Sequence, residues 1–63
     1  MSLGYYKVTF RLTCGEFDSW HVKAMGFVEA HDRSVSFAEL DNASIDRLEH
    51  VQYLKPIKEV KHG

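Results

Sequence analysis

Four histidines, His21, His31, His50 and His62, and one cysteine, Cys14, are the residues of this chain best equipped for metal binding or nucleophilic chemistry. Zinc sites draw on close ligand pairs, typically two to four residues apart. None of these five residues is so spaced. His31 precedes Asp32 within the polar run Ala30–Ser34, which reads as a hairpin tip, where adjacent side chains point apart. The expectation is therefore no metal site, with the histidines on a solvated surface. A cysteine nucleophile needs a nearby base and an enclosing pocket. His21 lies several residues up the opposing strand from Cys14, so only a pocket shared between subunits would serve. Glu16 and Asp18 share a strand face, but on a rim rather than in a cleft, which supports acid–base work poorly. Gly4, Gly15, Gly26 and Gly63 are scattered and make no phosphate loop. The chain reads as non-enzymatic, without a cofactor.

The remaining candidates are contact surfaces. Tyr5, Trp20, Met25 and Phe27 are the expected partner-binding residues. Tyr5, Met25 and Phe27 fall on one side of a continuous strand and Trp20 on the other, so one set meets a partner while a helix covers the other. Exposed apolar groups of this kind mark interaction sites. An alternative is single-stranded nucleic acid. Tyr5, Lys7, Thr9 and Arg11 alternate onto one face, where an aromatic ring can stack a base and Lys7 and Arg11 can follow phosphates. The acidic residues Glu16, Asp18, Glu29 and Asp32 and a net charge of −1 weigh against it.

These side chains depend on a framework set by residues 5–14, YYKVTFRLTC. Tyr6, Val8, Phe10 and Leu12 point one way and Tyr5, Lys7, Thr9, Arg11 and Thr13 the other. This period of two, built from aromatic and β-branched residues, specifies a strand with one buried face. Thr13-Cys14-Gly15 suits a three-residue hairpin loop with glycine in the left-handed position. That loop sets Leu12 opposite Glu16, Phe10 opposite Asp18, Val8 opposite Trp20 and Tyr6 opposite Val22. A two-residue Gly15-Glu16 loop would bury charge beside the core face. Cys14 reads as a half-buried thiol in a reducing compartment.

A long second strand is expected over 17–30, with Gly26 marking a bulge or a close backbone approach. Ala30–Ser34 then turns into a third strand beginning at Val35-Ser36-Phe37. Asp41, Asn42 or Ser44 would cap a helix carrying Ile45, Leu48 and Val51 inward. Pro56 ends that helix, and 53–60 forms an edge strand guarded by Lys55, Lys58 and Lys61. The fold class is α+β: a three-stranded antiparallel meander, one short helix packed on it, and a C-terminal edge strand. A small β-barrel is the alternative.

The chain has 63 residues, enough for a single domain, 1–63. A domain of this size buries about 60% of its unfolded surface, and its core supplies roughly 3–5 kcal/mol. One cysteine makes no internal disulfide. A second subunit is thus the expected stabiliser, a dimer above other assemblies, alongside a protein partner. No apolar run approaches the ~20 residues of a membrane span, and residues 1–4 lack the pattern of a signal peptide. A cytoplasmic interaction module, accessory or regulatory, is the resulting reading.

Overall fold

In the computed structural model, which describes residues 3–57, three strands and one helix follow one another as β1 (Gly4–Leu12), β2 (Phe17–Ala24), α1 (Phe27–Leu40) and β3 (Ile45–Pro56). The fold is α+β, with an open antiparallel sheet in the order β2-β1-β3. It does not close into a barrel. The first strand takes the centre because its even-numbered side chains supply the densest apolar stripe. Tyr6, Val8 and Phe10 are buried and form the core with Val22, Ala24 and Ala30.

The hairpin has the register expected from Gly15. Phe10 faces Asp18, Val8 faces Trp20 and Tyr6 faces Val22. The Leu12 N–H donates to the Glu16 carbonyl at 2.8 Å, and the Gly15 N–H to the Leu12 carbonyl at 2.9 Å. Gly15 has φ +91°, a conformation that only glycine adopts without strain. Cys14, in this turn, is exposed rather than half-buried.

Beyond Ala24 the elements depart from the expected order. The second strand stops at Ala24, and residues 27–40, expected as strand and turn, are helical. Gly26 is neither bulge nor close approach. It is the extended N-cap of α1, with open space where a Cβ would stand, and its carbonyl accepts the Ala30 N–H at 3.0 Å. The buried face of α1 is a stripe of small residues, Ala30, Ser34 and Ala38, at intervals of four. Ser34 donates its hydroxyl to the Ala30 carbonyl at 2.7 Å. A hydroxyl satisfied by its own helix behaves as a small, nearly apolar group, so a polar-looking segment can lie flat on the sheet.

Asp41-Asn42-Ala43-Ser44 does change the period, as a helix stop rather than a start. Asn42 takes the left-handed conformation, φ 58°. Its N–H reaches the Glu39 carbonyl at 3.1 Å, and the Ala43 N–H reaches Ala38 at 2.9 Å. This paired pattern is a Schellman C-cap with asparagine in the glycine position.

Residues 45–52, expected as a helix, belong to β3. Ile45, Leu48, Val51, Tyr53 and Pro56 stand opposite Leu12, Phe10, Val8, Tyr6 and Gly4. The register shifts at three points, and at each an extra residue, Asp46, Glu49 or Leu54, enters β3. Three bulges therefore stretch a period of two into steps of three, which imitates a helical repeat. Because β2 and β3 each run antiparallel to β1, they are parallel to one another and need a crossover, which α1 supplies. A meander is thus excluded. The edge-strand expectation holds as far as Pro56; its continuation over 58–60 lies outside the described residues.

Candidate functional site

The sheet has two unlike faces. The even-numbered face of β1 and β2 lies under α1, but the helix does not cover it evenly, since α1 packs mainly against β2. Arg33 and Phe37 line a shallow groove with His21 and Lys23 of β2. By helical geometry Val28 and Val35, seven residues apart, share the opposite flank. Beyond that flank the inner face of β3 is half bare. Phe27 is 56% exposed, Tyr53 47% and Leu48 43%. Tyr6 links two of them, meeting Phe27 and Tyr53 edge-on with ring centroids 5.3 Å away in each case. Val51 and Ile45, partly buried, continue the strip along β3.

The other face carries no helix. Its side chains fall into rows across the three strands: Lys23, Tyr5 and Lys55; His21, Lys7 and Gln52; Ser19, Thr9 and His50; Phe17, Arg11 and Arg47. The Thr9 and Ser19 hydroxyls are 2.8 Å apart. Lys23 Nζ and Lys55 Nζ, one from each neighbouring strand, lie 5.8 Å and 5.5 Å from the Tyr5 ring centroid, within cation–π range. A hollow of about 430 Å³ adjoins this ring, lined by Tyr5, Lys55, Pro56 and Ile57. At the far end the cations are answered. Arg47 Nε donates to Glu49 Oε1 at 2.8 Å, and Arg11 Nε stands 4.0 Å from Asp46 Oδ2. Lys7, Lys23 and Lys55 have no such carboxylate among the described ion pairs.

The expected partner-binding residues are therefore divided in a new way. Phe27 joins the bare strip, on the helix side. Met25 is exposed in the link between β2 and α1. Tyr5 is on the opposite face, and is not grouped with Met25 and Phe27 as a continuous strand would have it. Trp20 packs against the core, 6.0 Å from Phe10 by ring centroids, and its indole N–H donates to Asp41 Oδ2 at 2.8 Å. It thus ties β2 to the end of α1. Lys7 and Arg11 do share the open face with Tyr5. Missed in the sequence were Lys23 and Lys55, which reach Tyr5 only through the strand order, and Leu48 and Tyr53, whose inward phase depends on the bulges.

His31 and Asp32 sit on α1 rather than on a hairpin tip, and their side chains do meet, Nδ1 to Oδ1 at 3.3 Å. The His31 ring also packs against Phe10, with centroids 5.8 Å apart. Among the described residues no three metal-ligating side chains come together, and no helix is long and apolar enough to cross a membrane. His62 lies outside the described residues. No protein-family model, curated protein or solved structure matches this chain.

Proposed function

We propose that this chain is a non-enzymatic interaction module that acts as a two-fold dimer, the second copy seated on the strip between α1 and β3. The observation that carries the reading is that strip: Phe27 and Tyr53 stand about half exposed against the core residue Tyr6, and Leu48, also about half exposed, stands opposite Phe10 on the same face. The helix lies toward β2, so β3 lacks the second layer that a sheet face requires. A copy related by a two-fold axis would bring its own Val28–Val35 flank over that bare strand and receive the same cover in return. The strip is uncharged, so it offers no ionic discrimination in favour of a different partner. The exposed thiol of Cys14 suits a reducing, cytoplasmic setting for such an accessory protein.

Sedimentation velocity over nanomolar to micromolar concentrations tests this. The expected result is a dimer that Phe27→Asp and Leu48→Gln each convert to monomer, with the far-UV spectrum and a cooperative melt retained. Phe27 is the first residue of α1, where an aspartate suits the helix dipole, so that variant keeps the helix. A wild-type chain that stays monomeric throughout overturns the reading.

A further inference from the structure

The open face has a second set of properties that self-association through the helix side leaves unused. We propose that it is a binding site for single-stranded nucleic acid, with Tyr5 stacking a base and Lys7, Lys23 and Lys55 holding the flanking phosphates. This goes beyond the dimer reading and does not rest on it.

Charge is the first ground. The chain as a whole carries −1, but the fold sorts its charges. Lys7, Arg11, Lys23, Arg47 and Lys55 stand on the open face, against Asp46 and Glu49. Glu29, Asp32 and Glu39 are on α1, across the sheet. Asp18 stands opposite Phe10, on the helix-side face of its strand. Four of the nine acidic residues that oppose nucleic acid in a composition count are therefore separated from this surface. Where Arg11 and Arg47 have carboxylate neighbours the field is damped. Around Tyr5, among the described residues, it is not.

Aromatic placement is the second ground. Lys23 Nζ and Lys55 Nζ stand over the Tyr5 ring at 5.8 Å and 5.5 Å, the long end of cation–π range, so a base that displaces an ammonium group from the ring face leaves it beside the base's own phosphate. The hollow of about 430 Å³ beside the ring, walled by Pro56 and Ile57, is of a size to receive a flat base. At the other corner of the same face Phe17 is 62% exposed, although its neighbours across the strands are Arg11 and Arg47. The rows from Tyr5 to Arg11 span seven residues of β1, roughly 20 Å, a path of several nucleotides with an aromatic near each end. An acidic peptide would use the lysines but not the rings. A duplex presents its bases already stacked and would leave Tyr5 without a role.

Fluorescence anisotropy with a labelled 12-residue oligothymidylate tests the assignment, with the corresponding duplex and poly-glutamate as comparison ligands. Saturable binding at low salt is expected, weakening on a log–log plot as salt rises. Lys7→Gln should lower that slope by about 0.7, the single-strand value for one phosphate contact. Tyr5→Leu should weaken binding on the order of tenfold with little change of slope, the signature of lost stacking. Glu39→Gln, an exposed carboxylate of α1, should change neither. Should Tyr5→Leu lose its cooperative melt, Lys23→Gln supplies the second slope measurement. No binding at low salt, binding of duplex or poly-glutamate as tight as that of the single strand, or indifference of a folded Tyr5→Leu each overturns the proposal.

Discussion

Tyr53 shows how one side chain can serve both a core and a surface. Its ring lies over Gly4, close enough that a Cβ there would stand 2.6 Å from Cε1. Real Cβ atoms do not approach so closely, so Gly4→Ala must displace the ring and with it the edge contact to Tyr6. Overpacking of this kind costs about 1–3 kcal/mol. Two effects act on the substitution with opposite sign, because alanine also restrains the unfolded chain, by about 0.4–1 kcal/mol in favour of the fold. Steric displacement wins while Tyr53 is present. In a Tyr53→Ala background the obstacle is gone and only the chain-entropy effect is left. Gly4→Ala is therefore expected to destabilise the wild type and to leave Tyr53→Ala unchanged or slightly more stable. Urea unfolding of the four proteins reads this reversal directly; equal effects in both backgrounds would mean that Tyr53 does not rest on Gly4.

At the scale of elements, α1 is held by shape rather than by large apolar side chains. Ala30, Ser34 and Ala38 are fully buried, so the helix backbone lies close to β1 and β2. Ala38→Leu should cost about 1–3 kcal/mol by forcing the two layers apart. Ser34→Ala should stay within about 0.5 kcal/mol, since its hydroxyl bonds only to its own helix. The stop at Asn42 gives a paired test in chemical denaturation: Asn42→Gly neutral or stabilising, Asn42→Val destabilising by about 1–2 kcal/mol, because a β-branched residue resists the left-handed conformation. The same features explain what could be read in the chain beforehand. The strand β1 and its hairpin were legible because alternation and a loop glycine are local signals. The helix was not, because its inward stripe is written in alanine and serine, and Val35-Ser36-Phe37 alternates by accident. The strand β3 was misread because Asp46, Glu49 and Leu54 shift its phase. For the open face, Tyr5, Lys7 and Arg11 were legible from one strand. Lys23 and Lys55 were not, because their meeting at Tyr5 depends on a strand order that no local pattern encodes.

The whole molecule has two unlike exposed sides, and the sheet between them decides how the two proposed contacts combine. The bare strip of Phe27, Leu48 and Tyr53 and the basic face around Tyr5 point away from each other across one layer of strands. A two-fold contact through the strip must then turn both basic faces outward, on opposite surfaces of the dimer. Two such faces cannot share one short strand, because the path between them runs around two helix layers. A short oligonucleotide should therefore bind at one strand per chain, and the binding of the first should not alter that of the second. Leu48→Gln adds no charge and lies on the helix side of the sheet, opposite Phe10. It should dissociate the dimer while leaving the affinity for a 12-residue strand within about twofold, a difference of less than about 0.5 kcal/mol. A strand long enough to pass around the assembly differs. It can reach both faces, so linkage should raise its affinity for the dimer by on the order of a hundredfold over that for the Leu48→Gln monomer. Titrations of both lengths against both proteins, with stoichiometry from calorimetry, check this. A large loss of short-strand affinity in Leu48→Gln would mean that the nucleic-acid site spans two chains, and that the dimer contact lies at a sheet edge instead of on the strip between α1 and β3.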